Sequence, residues 1–159
     1  MNRMKHAMYQ CGKQSIKLPS PVYILASASI VGTKEGEGPL GTMFDMVGTD
    51  DLFGCATWEE AESTLQKEAV TLALGKAKMK PEELRYIFAG DLENQVIAST
   101  FGVKDFNIPF FGLYGACSTI GEALSLGSIT ISSGAADYVL ATTSSHFASA
   151  EKQFRYPLE

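Results

Sequence analysis

The chain has 159 residues, a length that suits one domain with a sizeable hydrophobic core. Apolar residues make up 45% of the chain and charged residues 19%, as in ordinary globular proteins. The formal net charge of −5 argues against a nucleic-acid-binding face. Any anionic ligand therefore has to be held by local hydrogen-bond donors rather than by a general positive field.

The cysteines and the apolar runs indicate in which cellular compartment the protein is expected. Cys11, Cys55 and Cys117 are widely spaced and match no metal-ligand pattern, which is typical of a reduced, intracellular protein. The basic N-terminus has no apolar block behind it, so we expect no signal peptide. The longest apolar run, residues 22–31, is too short to cross a bilayer. We expect no metal, no cofactor, and membrane association only through a partner.

The composition of the first third of the chain predicts an arm, a strand, a loop and the start of a helix, in that order. Residues 1–20 are polar and aperiodic and are expected to form a loose arm. Residues 22–32 are a continuous run of apolar and small residues, which predicts a first buried strand. The glycine- and acid-rich residues 32–54 predict a long loop. Thr57, with Glu60 three residues later, is a capping box that predicts the start of a helix.

The rest of the chain alternates between apolar strands and helical segments. The pattern predicts, in order, a strand at 85–90, a short helix at 95–102, a strand at 108–114, a helix at 118–133 and a strand at 138–143. This alternation indicates an α/β fold with a mostly parallel sheet. Small residues in the helix at 118–133 predict close packing on its neighbours, and Gly134 is predicted to end it.

Cys117 stands at the most informative turn of the chain. Gly115 breaks the preceding strand, so Cys117 is predicted in the first turn of a helix, at the C-terminal end of a central strand. The helix dipole and unpaired N–H groups at such a position favour a thiolate, a carboxylate or an oxyanion. The alternative is that Cys117 fills a tight buried corner as a small apolar residue.

His146 follows the last predicted strand, directly after Ser144 and Ser145. The C-terminal ends of parallel strands lie at one edge of a sheet, where ligands bind in open α/β folds. We therefore expect His146 to come within reach of Cys117. The alternative is a hydrogen-bonded structural histidine.

Two elements of the sequence resemble thiolase-fold enzymes, especially the ketoacyl synthase III group. They are the turn Gly115-Ala116-Cys117-Ser118-Thr119, which opens a small-residue helix, and the later segment Ser133-Gly134-Ala135-Ala136-Asp137-Tyr138-Val139-Leu140-Ala141. Over nearly all of residues 14–159 the chain resembles one branch, the stage V sporulation protein AD family. That likeness rests on Gly38-Pro39-Leu40-Gly41, Asp51-Leu52-Phe53-Gly54, Gly90-Asp91-Leu92-Glu93-Asn94-Gln95 and residues 145–157.

The resemblance implies an α/β, thiolase-like fold with a mostly parallel sheet covered by helices. Such proteins have two similar halves about a pseudo-twofold axis, and this chain resembles the first half only. Residues 21–159 are thus expected to form the N-terminal half of a thiolase-like domain, with the second half absent. We expect a fragment or truncated gene product whose uncovered face promotes association, and a homo-oligomer when full length.

The resemblance also implies a function. The family binds dipicolinic acid and helps to move it, with calcium, into the forespore. The implied partners are dipicolinate and other spore membrane channel proteins, and the implied location is peripheral, on the cytoplasmic side of the forespore inner membrane. The expected ligand-binding residues are Cys117, Ser118, Thr119, Ser145 and His146, with Phe110, Tyr114 or Phe147 stacked on the ring.

The alternative activity is acyl transfer of the ketoacyl synthase III type, with Cys117 as the nucleophile and coenzyme A or acyl-carrier protein as donor. In condensing enzymes the general acid–base groups come from the second half, so we expect binding rather than catalysis. A cysteine hydrolase is disfavoured, because Thr119 replaces the second glycine of a Gly-x-Cys-x-Gly nucleophile elbow.

Overall fold

The computed structural model describes residues 10–154, which contain seven strands and five α-helices. The first two strands, β1 (Gln10–Cys11) and β2 (Ser15–Ile16), form a small antiparallel hairpin. The segment expected to be a loose arm therefore includes a hairpin. Its first nine residues lie outside the described part of the chain.

The strand predicted over residues 22–32 is much shorter in the structure. Only β3 (Ile30–Val31) pairs, in parallel with β4 (Met46–Val47). Residues 22–29 pair with no strand of the described chain, and this stretch exposes the side chains of Tyr23, Ile24 and Leu25. The prediction of one continuous buried strand is wrong. A strand needs a neighbouring strand for its backbone hydrogen bonds, and a local apolar run does not indicate whether such a neighbour is present.

Residues 32–54, predicted as a long loop, contain α1 (Thr33–Gly36), a 3₁₀ turn at Gly41–Met43 and β4. Asp45 holds this segment in place. Its carboxylate accepts hydrogen bonds from the Ser29 N–H at 2.9 Å and from the Lys76 ammonium at 2.8 Å. The bonds from Lys76 and then Ser29 keep the pKa of Asp45 below its ordinary value.

The long helix α2 (Trp58–Ala77) begins as the sequence predicts. Thr57 Oγ1 accepts a hydrogen bond from the Glu60 N–H at 3.2 Å, so the N-cap prediction is confirmed. The helix ends at Lys78, whose φ of 56° is left-handed. The buried side chains of α2 are Ala61, Glu62, Gln66, Val70 and Leu74. Two of them, Glu62 and Gln66, are polar.

Three parallel strands form the main sheet. β5 (Tyr86–Gly90) lies between β6 (Phe110–Leu113) and β7 (Val139–Thr143). The last residues of the three strands stand opposite one another, so all three carboxyl ends meet at the same edge. The predicted α/β class with a parallel sheet is confirmed, and each of these strands is slightly shorter than predicted.

Helices cover the two faces of the sheet. α3 (Ile97–Val103) packs on α2, and its Val103 joins Ile87 and Ala89 of β5 in one core cluster. The second cluster contains Val70, Leu74 and Leu84, and Phe106, Ile108 and Leu140 pack against both. Because side chains alternate along a strand, Phe88 points to the opposite face.

The helix α4 (Thr119–Ser132) packs on β5 and β7. Gly127 allows the close approach, since a Cβ there would lie 3.0 Å from Val139 Cγ2 and 3.8 Å from Phe88 Cδ2. The helix ends as predicted at Gly134, whose φ is 78°, with a hydrogen bond from the Ala135 N–H to the Thr130 carbonyl at 3.1 Å.

Large apolar side chains on both sides of the buried stripe of α4 are 37–44% exposed in the described structure: Ile120, Leu124, Leu126 and Ile129. Exposed apolar side chains in this number on one helix favour a contact with another surface. The last helix, α5 (Phe147–Phe154), follows β7 and packs on α2.

We predict opposite effects for two glycine-to-alanine changes. In Gly90→Ala the new Cβ would collide with the Leu113 carbonyl and come within 2.6 Å of Thr119 Cγ2, so the free energy of unfolding should fall by about 1–3 kcal/mol. The matched control Gly75→Ala, in open space on α2, should raise it by about 0.5–1 kcal/mol. Urea denaturation measures both, and a Gly90→Ala variant as stable as the parent would contradict the packing of the sheet edge.

Candidate functional site

Cys117 lies in a sharp turn between β6 and α4. The chain leaves β6 at Leu113 and forms a 3₁₀ turn, Ala116–Ser118, before α4 begins. Ala116 has a φ of 49°, a left-handed conformation uncommon for alanine that sharpens this turn. Cys117 is exposed, so the buried-corner alternative is wrong and the predicted place at the start of a helix is confirmed. The strand before it, however, is an edge strand of the described sheet rather than a central one.

The polar groups around Cys117 mostly bind one another. The Ser118 N–H and hydroxyl both donate to the Gly115 carbonyl, at 3.0 and 2.7 Å, and the hydroxyl also contacts the Glu122 carboxylate at 2.7 Å. Thr119 is buried, and its Oγ1 accepts from the Gly115 N–H at 3.1 Å. An anion at this turn would therefore compete with Glu122 for the Ser118 hydroxyl.

His146 is held by its own surroundings. Its Nδ1 accepts a hydrogen bond from the Ala148 N–H at 3.2 Å, so its Nε2 is the protonated nitrogen and donates to the Asp51 carbonyl at 2.8 Å. No hydrogen bond joins His146 to Cys117 in the described structure. That the two approach each other remains a prediction.

Three of the remaining predicted residues lie at the carboxyl edge of the sheet, while Phe110 is the first residue of β6, at the other end of that strand. Ser145 is exposed just beyond β7, and Phe147 is exposed at the first turn of α5. Tyr114 is 55% exposed beyond β6, and its hydroxyl donates to the Leu92 carbonyl at 3.3 Å. Phe110, within β6, is half-buried. Tyr114 is thus the aromatic residue nearest in sequence to Cys117, with an open ring face.

A buried polar cluster at this edge was not predicted from the sequence. Its centre is Glu62 of α2, which is fully buried. Its carboxylate accepts three hydrogen bonds from residues beyond β7: from the Ser144 hydroxyl at 2.9 Å, the His146 N–H at 3.0 Å and the Ser149 hydroxyl at 2.7 Å. Glu62 therefore anchors the first half of the segment after β7 to α2.

The cluster continues towards the end of β5. Gln66 donates through Nε2 to the hydroxyls of Ser99 at 3.0 Å and Ser144 at 3.3 Å. Asp91 accepts from the Glu93 N–H at 2.8 Å and from the Ser99 N–H at 2.7 Å. Both carboxylate oxygens of Asp91 are thereby occupied, and the loop after β5 is fixed to α3.

Glu93 is the unusual member of the cluster. Its side chain is fully buried, and neither carboxylate oxygen has a hydrogen-bond partner in the described structure. Burial, followed by repulsion from Glu62, raises the pKa of Glu93 to about 7, with a further contribution from Asp91. Among the described residues, no group of three His, Cys, Asp or Glu side chains is arranged to hold a metal ion.

One sequence signal could have revealed this cluster. Glu62 and Gln66 stand four residues apart and continue into Val70 and Leu74 at the same interval, so two polar residues share a buried helical stripe. Glu93 belongs to the segment that carries the family resemblance. Neither observation indicates that these side chains meet, because they lie on different elements.

Comparison with known proteins identifies the family of this chain. The stage V sporulation protein AD (SpoVAD) family matches residues 12–159. The chain belongs to the SpoVAD family. It is 38% identical over 148 residues to the stage V sporulation protein AD of Bacillus subtilis (strain 168), an alignment that covers 93% of this chain and 44% of that protein. The SpoVAD-family chain thus spans less than half the length of this relative.

Solved structures show the same fold. The 3-oxoacyl-[acyl-carrier-protein] synthase III of Aquifex aeolicus VF5 superposes with a TM-score of 0.51 at 24% identity, over 56% of this chain and 31% of that one. The priming β-ketosynthase of the R1128 polyketide pathway gives 0.51 at 22% identity, over 58% and 30%. The predicted thiolase-like fold of this SpoVAD-family chain is confirmed. Between residues 10 and 154, none of its helices has the length and hydrophobicity needed to span a membrane.

We predict that Glu93→Gln removes a pH-dependent loss of stability. Because the folded-state pKa of Glu93 is raised above its ordinary value, its ionisation should lower the free energy of unfolding as the pH rises from about 5 to about 8, by roughly 1–3 kcal/mol. Below the ordinary pKa of glutamate the group is protonated in both states and has no effect. Urea unfolding of the parent and of Glu93→Gln across this range measures the difference, and parallel stability curves would contradict the burial of an unpaired carboxyl group.

Proposed function

We propose that this SpoVAD-family chain binds dipicolinate, a planar dianion, at the carboxyl edge of the main sheet. In this proposal the binding supports the uptake of dipicolinate and calcium into the forespore during sporulation. The observation behind it is the exposed 3₁₀ turn with Cys117 and Ser118, directly before α4, in a chain that matches this family over residues 12–159. A 14-residue helix presents the positive end of its dipole there.

The surrounding groups support a ring-shaped dianion as the ligand. Tyr114 has an exposed ring beside the turn, and Ser145 and Phe147 are exposed beyond the carboxyl end of β7. One carboxylate would displace Glu122 from the Ser118 hydroxyl, whose present bond to Glu122 is 2.7 Å. Thr119 acts by bracing the turn through Gly115. We propose that His146 positions the neighbouring Ser145.

The proposal extends to partners. We propose that the chain works beside other spore membrane channel proteins, peripherally, on the cytoplasmic side of the forespore inner membrane, and as a homo-oligomer when full length. The exposed apolar side chains of α4, Leu124 among them, support a protein–protein contact.

We predict that dipicolinate affinity distinguishes two substitutions in the turn. Cys117→Ala leaves the backbone N–H groups in place, so the dissociation constant measured by isothermal titration should rise by about tenfold or less. Ser118→Leu fills the space of the anion and removes a donor, so the constant should rise by more than about tenfold.

Glu122→Gln serves as the matched third variant in the same titration. It removes the competing carboxylate next to the Ser118 hydroxyl, so it should strengthen binding. Undiminished binding by Ser118→Leu would show that the ligand lies elsewhere.

A second candidate activity is acyl transfer, favoured by the exposed thiol of Cys117 and the ketosynthase-like fold. Against it, both nitrogens of His146 are engaged with Asp51 and Ala148 rather than with the thiol. We predict that incubation with acyl-coenzyme A leaves no thioester on Cys117 in intact-protein mass spectra. A stable adduct that is lost in Cys117→Ser would instead support the acyltransferase.

A further inference from the structure

We propose that a proton on the buried, unpartnered carboxyl group of Glu93, beside Glu62, controls how firmly residues 144–154 dock against α2. The segment 144–154 includes α5 and the loop before it. The proposal goes beyond dipicolinate binding and does not depend on it.

The segment 144–154 is attached to the rest of the chain at several points, which include Gln66 to Ser144 at 3.3 Å and His146 to the Asp51 carbonyl at 2.8 Å. Glu62 accepts the three hydrogen bonds already described from its first half. Its second half is attached by Lys152 to Glu59 at 2.6 Å, and by Gln153 to the Asn94 N–H at 2.8 Å. An eight-residue helix such as α5 is not stable on its own. Its order therefore depends on these attachments.

Glu93 lacks what its position requires, which is a donor. It is fully buried with both oxygens unpartnered, and the Oε1 of buried Gln66 is also unpartnered. The donors nearby are already used, since the Ser149 hydroxyl bonds to Glu62 at 2.7 Å. Protonation of Glu93 supplies the missing donor, because a carboxylic acid can donate to a neighbouring carboxylate. In this proposal the acceptor is the carboxylate of Glu62, whose charge acts on Glu93.

The charges around Glu93 determine whether its ionisation strengthens or weakens the docking of the segment 144–154. Glu62 faces it from α2, and Asp91 faces it from its own loop, while α5 presents the uncharged Ser149. Lys152 of α5 is bound to Glu59. When Glu93 loses its proton, two buried carboxylates repel each other without a cation between them. The repulsion is relieved when water enters and the segment 144–154 opens.

The backbone close to Glu93 is held in an uncommon conformation. Gln95 and Val96 have φ values of 61° and 56°, left-handed conformations that are uncommon for residues other than glycine and especially for a β-branched one. These two residues directly follow Asn94, which contacts α5. If the segment 144–154 loosens, the loop after β5 should therefore loosen as well.

Hydrogen–deuterium exchange of the ligand-free chain tests the proposal. After correction for the chemical exchange rate, the protection of peptides from residues 147–154 should fall by roughly tenfold or more between about pH 5.5 and about pH 8.5. Peptides from the interior of α2 around Val70 should not change. In Glu93→Gln, which cannot ionise and keeps a donor, the low-pH protection should persist across the range.

Two further variants make the outcome decisive. Glu68→Gln, an exposed change on α2, should follow the parent. Glu62→Gln removes the repelling carboxylate, so the midpoint of any remaining transition should move to lower pH. A parent whose protection is independent of pH, or a Glu93→Gln variant that titrates like the parent, would overturn the proposal. Because no ligand is present, this result is separate from the test of dipicolinate binding.

Discussion

The carboxylate of Glu62 is the constraint on which the functional edge of this molecule depends. A buried carboxylate is costly unless hydrogen bonds satisfy it, and Glu62 obtains three of them from Ser144, His146 and Ser149. Those donors belong to the chain beyond β7, so the long helix α2 determines where that chain runs. Glu62 thus helps to fix the positions of His146 and of the start of α5.

Two polar regions with different properties share the carboxyl edge of the sheet. The turn at Cys117 is exposed, and its donors are partly occupied by neighbours. The cluster around Glu93 is closed to solvent and has too many acceptors for its donors. The Tyr114 hydroxyl connects them through the Leu92 carbonyl, between Asp91 and Glu93. An exposed turn therefore lies beside a closed acidic cluster in this SpoVAD-family chain.

Features with a local signal were predictable from the sequence. Thr57 caps α2, Gly134 ends α4, and Cys117 lies in a strand-to-helix turn, because each depends on residues within a few positions of it. The long strand predicted at residues 22–32 is wrong, because residues 22–29 of this apolar run have no pairing partner in the described chain. Its failure shows that hydrophobicity alone does not make a strand.

The sequence by itself determined the α/β class, the order of α2, α3 and α4 and of the three strands of the main sheet, and the family. The tertiary structure alone decided which polar side chains meet. Glu62 and Ser149 are separated by 87 positions, and Gln66 and Ser99 by 33, yet each pair is in hydrogen-bond contact. Likewise His146 bonds to Asp51, 95 positions away. Such contacts arise when parallel strands bring their carboxyl ends to one edge, an arrangement that depends on the packing of the whole sheet rather than on any local pattern.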